Sequence, residues 1–293
     1  MLKIVCIPAF NEENSINDIV KRSLKFVDRV IVCDDGSSDQ TSLKAKEAGA
    51  TVLTHKTNLG KGSAFKTLFQ YANEIDADIV VTIDGDGQFL PEEMENLITS
   101  LEKSNADVVI GNRYANHTEM PSYRKTGNKI LDKFTKLAAD LPFEDTQSGY
   151  RAYSKNAISS IKITNQGFGV DSEILVDAAN KGLKIIEESV TVLYDVGHKT
   201  STKDPITHSV GVISSLLELI AINHPLRFLG IPGFILIIMG IFFSIIVLSI
   251  FNEQGIFSIP STLTALGSLV IGLILLLMSV VLYSISRISK KFN

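Results

Sequence analysis

The chain has 293 residues, 45% of them hydrophobic, enough for one sizeable domain and an additional element. A formal net charge of −4 and a pI near 5.8 leave no basic surplus for a nucleic-acid partner. Cys6 and Cys33 both lie in apolar, strand-like runs, which argues against a disulfide or metal framework and for small core residues in a reducing compartment.

Met1-Leu2-Lys3-Ile4 leads straight into a strand pattern, so no signal peptide is expected. Short β-branched runs follow at Lys3–Pro8, Arg29–Asp34, Thr51–His55, Ile79–Asp84 and Asp107–Gly111. Between them lie helical patterns at Ile16–Val27, Thr41–Ala48, Gly62–Ala72 and Pro91–Lys103, the last opened by Pro91 with Glu92 and Glu93 behind it. This alternation predicts a mostly parallel sheet with helices on both faces, over residues 1–204. Ligands of such sheets bind beyond the carboxyl ends of the strands. Four polar clusters fall at those ends: Asn11-Glu12-Glu13, Asp34-Asp35-Gly36-Ser37, Asn58 to Lys61, and Asp84-Gly85-Asp86. Asp84 and Asp86, one residue apart at a strand end, can offer oxygens to one hard divalent cation, which can hold a diphosphate. Asp and Gly also crowd ordinary turns, so the pair gains its weight from the other clusters.

Residues 205–227 form a separate piece in which Ile206, Val210, Ile213, Leu216, Leu217 and Ile220 recur at helical spacing. It reads as an amphipathic helix on a membrane surface, or else as a helix packed on the soluble domain. Residues 228–293 carry two uncharged stretches, Phe228 to Phe251 and Gly255 to Ser286, the second crossing running from about Leu263 to Ile285. A helix of about 24 residues spans ~36 Å, enough for a bilayer core of ~30 Å. Arg227 precedes the first span and Arg287, Lys290 and Lys291 follow the second, whereas the loop between offers only Glu253. The positive-inside rule then predicts an integral protein of the cell membrane with its N-terminal α/β domain and both termini in the cytoplasm.

Six motifs occur in one order: Ile7-Pro8-Ala9-Phe10-Asn11-Glu12-Glu13, Asp34-Asp35-Gly36-Ser37-Ser38-Asp39-Gln40-Thr41, Asn58-Leu59-Gly60-Lys61-Gly62, Asp84-Gly85-Asp86-Gly87-Gln88, Gly111-Asn112-Arg113-Tyr114 and Ser148-Gly149-Tyr150-Arg151. Together they make residues 1–200 resemble glycosyltransferase family 2, and within it the dolichyl-phosphate mannose synthase and polyprenyl-phosphate glycosyltransferase branch. The resemblance implies a GT-A fold that binds a nucleotide sugar, GDP- or UDP-linked. It implies that Pro8, Ala9, Glu12, Asp34 and Asp35 line the base and ribose pocket; Glu12 can equally serve a helix N-terminus. Lys61 either touches the nucleotide or diphosphate or is a solvated lysine. Asp86, with Asp84 and the amide oxygen of Gln88, would hold Mg²⁺ or Mn²⁺.

The acceptor decides whether a general base is needed. A lipid monophosphate, with a second pKa near ~6, is already mostly dianionic at neutral pH and can attack directly. The protein must instead hold one anion beside another, work suited to arginine and lysine. Arg113, Arg124 and Asn128 occupy places resembling the family's acceptor-phosphate contacts, which makes Asp86, Arg113 and Arg124 the expected catalytic set. His198, Lys199 and Lys203 stand where many relatives have an arginine-containing pattern, and read either as phosphate ligands or as a basic juxtamembrane segment. Gln147, Ser148, Gly149 and Arg151 resemble the sugar-side segment, as do Phe168, Asp171 and Glu173. Asp171 would contact sugar hydroxyls or cap the helix beginning at Ser172.

The expected reaction is inverting, metal-dependent transfer of a hexose from GDP-mannose, UDP-glucose or UDP-N-acetylglucosamine to dolichyl or polyprenyl phosphate, with a homo-oligomer through the membrane helices left open. The alternatives are a nucleotide-sugar-binding scaffold subunit and a synthase with a saccharide acceptor. The absence of any Trp argues against the latter, whose processive members carry a Gln-x-x-Arg-Trp motif.

Overall fold

The computed structural model describes residues 1–114, 132, 142–164, 169–193, 221, 224–256 and 258–292. The chain divides into two compact units, Met1–Leu216 and Leu217–Asn293. In the first, strands β1 (Lys3–Ala9), β2 (Arg29–Asp34), β3 (Thr51–Thr54) and β4 (Ile79–Thr82) alternate with helices α1 (Ile16–Ser23), α2 (Thr41–Glu47) and α3 (Lys61–Glu74). A 3₁₀ turn, Pro91–Glu93, leads into α4 (Met94–Ser104), followed by β5 (Val108–Asn112), β6 (Arg151–Ser154), α5 (Lys155–Ser160), α6 (Val170–Asn180) and β7 (Ile185–Ser189). The seven strands lie in the order β3-β2-β1-β4-β6-β5-β7. All pairings are parallel except those of β6, which runs antiparallel between β4 and β5. This is the mostly parallel GT-A sheet expected, with two strands, β6 and β7, that the sequence patterns do not reveal.

Period-two alternation along β1 explains the three layers. Val5 and Ile7 face a core built with Ile16, Ile19 and Val20 of α1 and Met94, Leu97 and Leu101 of α4. Ile4 and Cys6 face the opposite core, with Phe65, Leu68 and Phe69 of α3 and Ile174 and Leu175 of α6. A strand covered on both faces has no polar side to show, which is why β1 reads as a continuous apolar run. Burying each such side chain contributes roughly 1.5–3 kcal/mol.

Two boundaries differ from the periodicity for local reasons. Helix α1 stops at Ser23 because the chain must turn into β2: Asp28 donates its N–H to the Lys3 carbonyl (2.9 Å) and accepts from the Lys3 N–H (2.7 Å). Strand β4 leaves the ladder after Thr82, which pairs with Cys6, so Asp84 is released from the sheet towards the carboxyl edge.

In the second unit a π-helical turn, Leu226–Gly230, runs into α7 (Ile231–Gln254), and α8 covers Ile259–Phe292. Pro232 has no N–H to give back along the helix, and the backbone ahead of it widens accordingly. Leu226–Gln254 and Ile259–Ile288 are each long and apolar enough to cross a membrane. Their outward side chains, Phe234, Ile245, Leu266, Leu273 and Val281 among them, are more than half exposed, unlike those of a soluble core helix. Most of the helix expected over 205–224, together with Arg124, Asn128, Phe168, His198, Lys199 and Lys203, lies outside the described residues.

Candidate active site

Parallel order brings the carboxyl ends of β3, β2, β1 and β4 side by side, and backbone hydrogen bonds then sew the loops together. Asn11, in the left-handed region at φ 56°, accepts from the Ser38 N–H through Oδ1 at 2.9 Å and donates its own backbone N–H to Ser37 Oγ at 2.9 Å. The Glu12 N–H donates to Thr41 Oγ1 (2.7 Å), and Thr41 is itself held by Asp39. These links place Glu12 just beyond Pro8 and Ala9, the last residues of β1. Its carboxyl faces Asp86 and Asp84. Burial first, then those two carboxylates and Asp39, push its pKa up to about 8. Ser15, which the sequence presents only as the residue before a helix, donates from Oγ to the Gly85 carbonyl at 2.6 Å and ties the Asp84–Asp86 loop to α1.

Asp34 and Asp35 are both buried, at 3% exposure. Asp34 Oδ1 accepts from the Ser37 N–H at 3.0 Å. Both oxygens of Asp35 accept hydrogen bonds within the chain, from the Leu59 and Gly60 amides and from His55.

Lys61, the first residue of α3, is not a solvated lysine. Its side chain is 16% exposed, and its ammonium lies 2.9 Å from Asp84 Oδ1 and 3.0 Å from Asp171 Oδ2, with the Phe65 ring 5.6 Å away. Burial alone would lower the Lys61 pKa; Asp171 and Asp84 outweigh it and hold the ammonium charged well above the usual lysine range. Asp171 does not cap a helix starting at Ser172. Helix α6 begins at Val170 with Gly169 as its N-cap, and Asp171 lies in the first turn with its carboxylate on Lys61.

The loop before β6 forms the other wall. Thr82 Oγ1 donates to the Gly149 carbonyl (2.8 Å), and the register sets Thr82 opposite Arg151. Gly149 packs so closely on Asp84 that an added Cβ would lie 2.6 Å from Oδ2. Gln147 Nε2 donates to Ser172 Oγ at 2.8 Å, linking this wall to α6, and Ser148 is buried with Oγ towards the Tyr150 N–H. Arg151 is 1% exposed and lies in the interior. Its guanidinium donates to the Asp171 carbonyl (2.8 Å) and the Thr146 carbonyl (2.9 Å), which braces α6 against the Gln147–Gly149 loop. Arg113, just past β5, makes a bidentate fork with the fully buried Asp145, both bonds 2.7 Å, and its backbone N–H donates to the same carboxylate. A second buried carboxylate, Asp132, receives Tyr114 Oη (2.9 Å) and Thr146 Oγ1 (2.8 Å). Asp145 and Asp132 are components the sequence motifs do not flag, because their partners are remote in the chain.

The donor set fits a hard cation only in part. Among the described residues no three His, Cys, Asp or Glu side chains converge as ligands. Asp84 and Asp86 therefore supply two carboxylates at most, Asp86 being turned by its bond from the Gln88 N–H (3.1 Å). That matches the habit of Mg²⁺, which takes one or two carboxylates and completes its shell with substrate phosphates and water. Burial is the larger reason that the Glu12 pKa is raised; repulsion from Asp86 and Asp84 adds to it, and a cation between those two carboxylates would offset that second part.

Residues 4–161 match the family model for glycosyl transferase family 2. The chain is 30% identical over 236 residues to glycosyltransferase AglJ of Haloferax volcanii, covering 78% of this chain and 76% of that one. It is 32% identical over 211 residues to the UDP-N-acetylglucosamine–dolichyl-phosphate N-acetylglucosaminyltransferase of Methanococcus voltae, covering 64% and 84%. The glucosyl-3-phosphoglycerate synthase of Mycobacterium tuberculosis, solved with Mn²⁺, UDP and phosphoglyceric acid, shares the fold at a TM-score of 0.59 and 24% identity, over 75% of this chain and 78% of that one.

Proposed function

Because the chain belongs to glycosyl transferase family 2, we propose that this glycosyltransferase moves a hexose from a nucleotide diphosphate sugar to a polyprenyl or dolichyl phosphate, with inversion. The observation that carries this reading is the convergence of Asp84, Asp86 and Glu12 with the Lys61–Asp171 pair at one sheet edge, in a chain that continues into two apolar helices. Relatives whose names specify dolichyl, polyprenol or undecaprenyl phosphate chemistry support the acceptor class.

In this reading Pro8, Ala9 and Glu12 flank the nucleoside, with Asp34 and Asp35 behind them. Lys61 and Asp171, with Gln147, Ser148 and Gly149, border the transferred sugar. Asp84, Asp86 and Gln88 would hold Mg²⁺ or Mn²⁺, which when bound neutralises charge on the diphosphate leaving group. Arg113, aimed by its fork with Asp145, binds the acceptor phosphate together with Arg124 and Asn128, and His198, Lys199 and Lys203 add positive charge from the juxtamembrane side. A phosphate oxygen forms a bond to the anomeric carbon as the bond to the diphosphate oxygen breaks, and the leaving nucleoside diphosphate keeps that electron pair. No proton is transferred, so no general base is required, and an α-linked donor gives a β-linked product. The two spans hold the lipid phosphate at headgroup depth on the cytoplasmic face, with both termini on that side.

The test is radiolabel transfer by the full chain in detergent, with polyprenyl phosphate, Mn²⁺ or Mg²⁺, and GDP-mannose, UDP-glucose or UDP-N-acetylglucosamine offered separately. A labelled, organic-extractable product that disappears with EDTA and in Asp86→Ala supports the reading and identifies the sugar. Nucleotide-sugar binding without lipid product from any donor overturns the acceptor assignment.

A further inference from the structure

His55 follows β3 and packs against Asp35 at the back of the site. Its backbone N–H donates to the Asp34 carbonyl at 2.9 Å, and its ring Nδ1 lies 2.7 Å from Asp35 Oδ1. Its other nitrogen, Nε2, lies 2.9 Å from Thr67 Oγ1 on α3. The histidine and aspartate side chains are only 12% and 5% exposed. A carboxylate can only accept, so Nδ1 carries a proton and donates to Asp35, while Nε2 pairs with the threonine hydroxyl, which can donate or accept. The contact with Asp35 therefore has a defined direction.

Asp35 passes that order on. Oδ1 also accepts the Leu59 N–H at 2.9 Å, and Oδ2 accepts the Gly60 N–H at 2.8 Å. Gly60 has a φ of 96°, open to glycine and strained for other residues, and the next residue is Lys61. The two amides at the entrance of α3 would otherwise suit an anion; here a buried carboxylate of the chain itself occupies them. The turn they close sets where the flexible lysine stem begins. From there the ammonium reaches Asp84, just past β4, and Asp171 on α6 together.

We propose that Asp35 and His55 are positioning residues: they clamp the Leu59–Gly60 turn so that Lys61 is aimed between the two carboxylates of the donor site. The inference rests on the reading of Asp84 as a donor-site group, and it assigns Asp35 work other than nucleoside contact.

The test uses the full chain in detergent and two variants of opposite geometry. In His55→Asn the amide nitrogen replaces Nδ1; in His55→Gln it replaces Nε2 and the bond to Asp35 is lost. Amide hydrogen exchange is read at Leu59 and Gly60, with α4 amides as the control for global folding. Loss of a charge-assisted hydrogen bond corresponds to about tenfold or more faster exchange at those two amides in His55→Gln. His55→Asn is expected to stay within about threefold of the parent protein, and α4 to be unchanged in both. Donor kcat/KM should follow the same order, lower in His55→Gln than in His55→Asn. Equal behaviour of the two variants, or parental exchange rates in His55→Gln, overturns the proposal. Exchange does not depend on which acceptor is used, so a failure of lipid transfer would sink the proposed reaction and leave this result to stand or fall separately.

Discussion

Replacing Gly149 by Ala tests the donor site at its tightest point. The new Cβ would lie 2.6 and 2.8 Å from the two Asp84 oxygens and 3.0 Å from Cγ. The loop cannot retreat easily, because the Gly149 carbonyl is tied to Thr82 Oγ1 at 2.8 Å inside the sheet. The carboxylate must move instead, by about 0.8 Å to reach an ordinary 3.4 Å contact, and its partner Lys61 is only 2.9 Å away. Displacements near 1 Å at a reacting centre cost on the order of 10²-fold in rate, or ~2.7 kcal/mol of transition-state stabilisation. The expected result is a roughly hundredfold drop in donor kcat/KM and weaker Mn²⁺ binding by titration calorimetry with the nucleoside diphosphate present. The core lies elsewhere, so the melting temperature should fall by only a few degrees. Parental Mn²⁺ affinity and turnover in Gly149→Ala would refute the placement of Asp84 in the donor site.

Three further expectations follow from particular contacts. Glu12 titrates at about 8 in the folded chain against a usual 4.5, so its contribution to stability is fully present below pH 4.5 and is lost as pH rises through 8. Without metal, Glu12→Gln should therefore be the more stable protein at pH 8.5, by about 1–2 kcal/mol once partial exposure is allowed for, and the gap should close at pH 4.5 in thermal melts. Asp145→Ala leaves the Arg113 guanidinium without its fork and should destabilise the first unit by about 3–5 kcal/mol, measured by denaturant titration; parental stability would show the fork to be inconsequential. In the helical hairpin, a Cβ on Gly272 would lie 2.7 Å from the Gly233 carbonyl and 2.9 Å from Ile237. Gly272→Leu should therefore separate α7 from α8, detected as a longer spin-label distance between them in detergent, and an unchanged distance would contradict the close packing.

The sequence by itself determined the parts of this protein that depend on short-range pattern. Apolar runs of period two, helical spacing and the Pro91 start marked β1 to β5 and α1 to α4 to within a few residues, because those signals come from neighbours in the chain. Long uncharged stretches marked the two apolar helices for the same reason. The family motifs brought Glu12, Asp84 and Asp86 forward as a group, the first following β1 and the other two following β4.

Tertiary structure decided what those residues meet. Strands β6 and β7 were not legible: β6 is four residues long, and its pairing with β4 depends on partners about seventy positions away. Lys61 reads as a nucleotide contact or a solvated lysine, and only the packed chain shows the loop after β4 and helix α6 setting Asp84 and Asp171 beside it. Arg151 looks like a site arginine in its motif, yet packing turns it inward onto the carbonyls of Thr146 and Asp171. Asp35 reads from its motif as a pocket-lining residue, and only the packed chain shows its oxygens accepting from the Leu59 and Gly60 amides. Strand and helix patterns are local and survive in one dimension. Ion pairs and close approaches depend on which distant segments the sheet order brings to one edge, and only the packed chain specifies that.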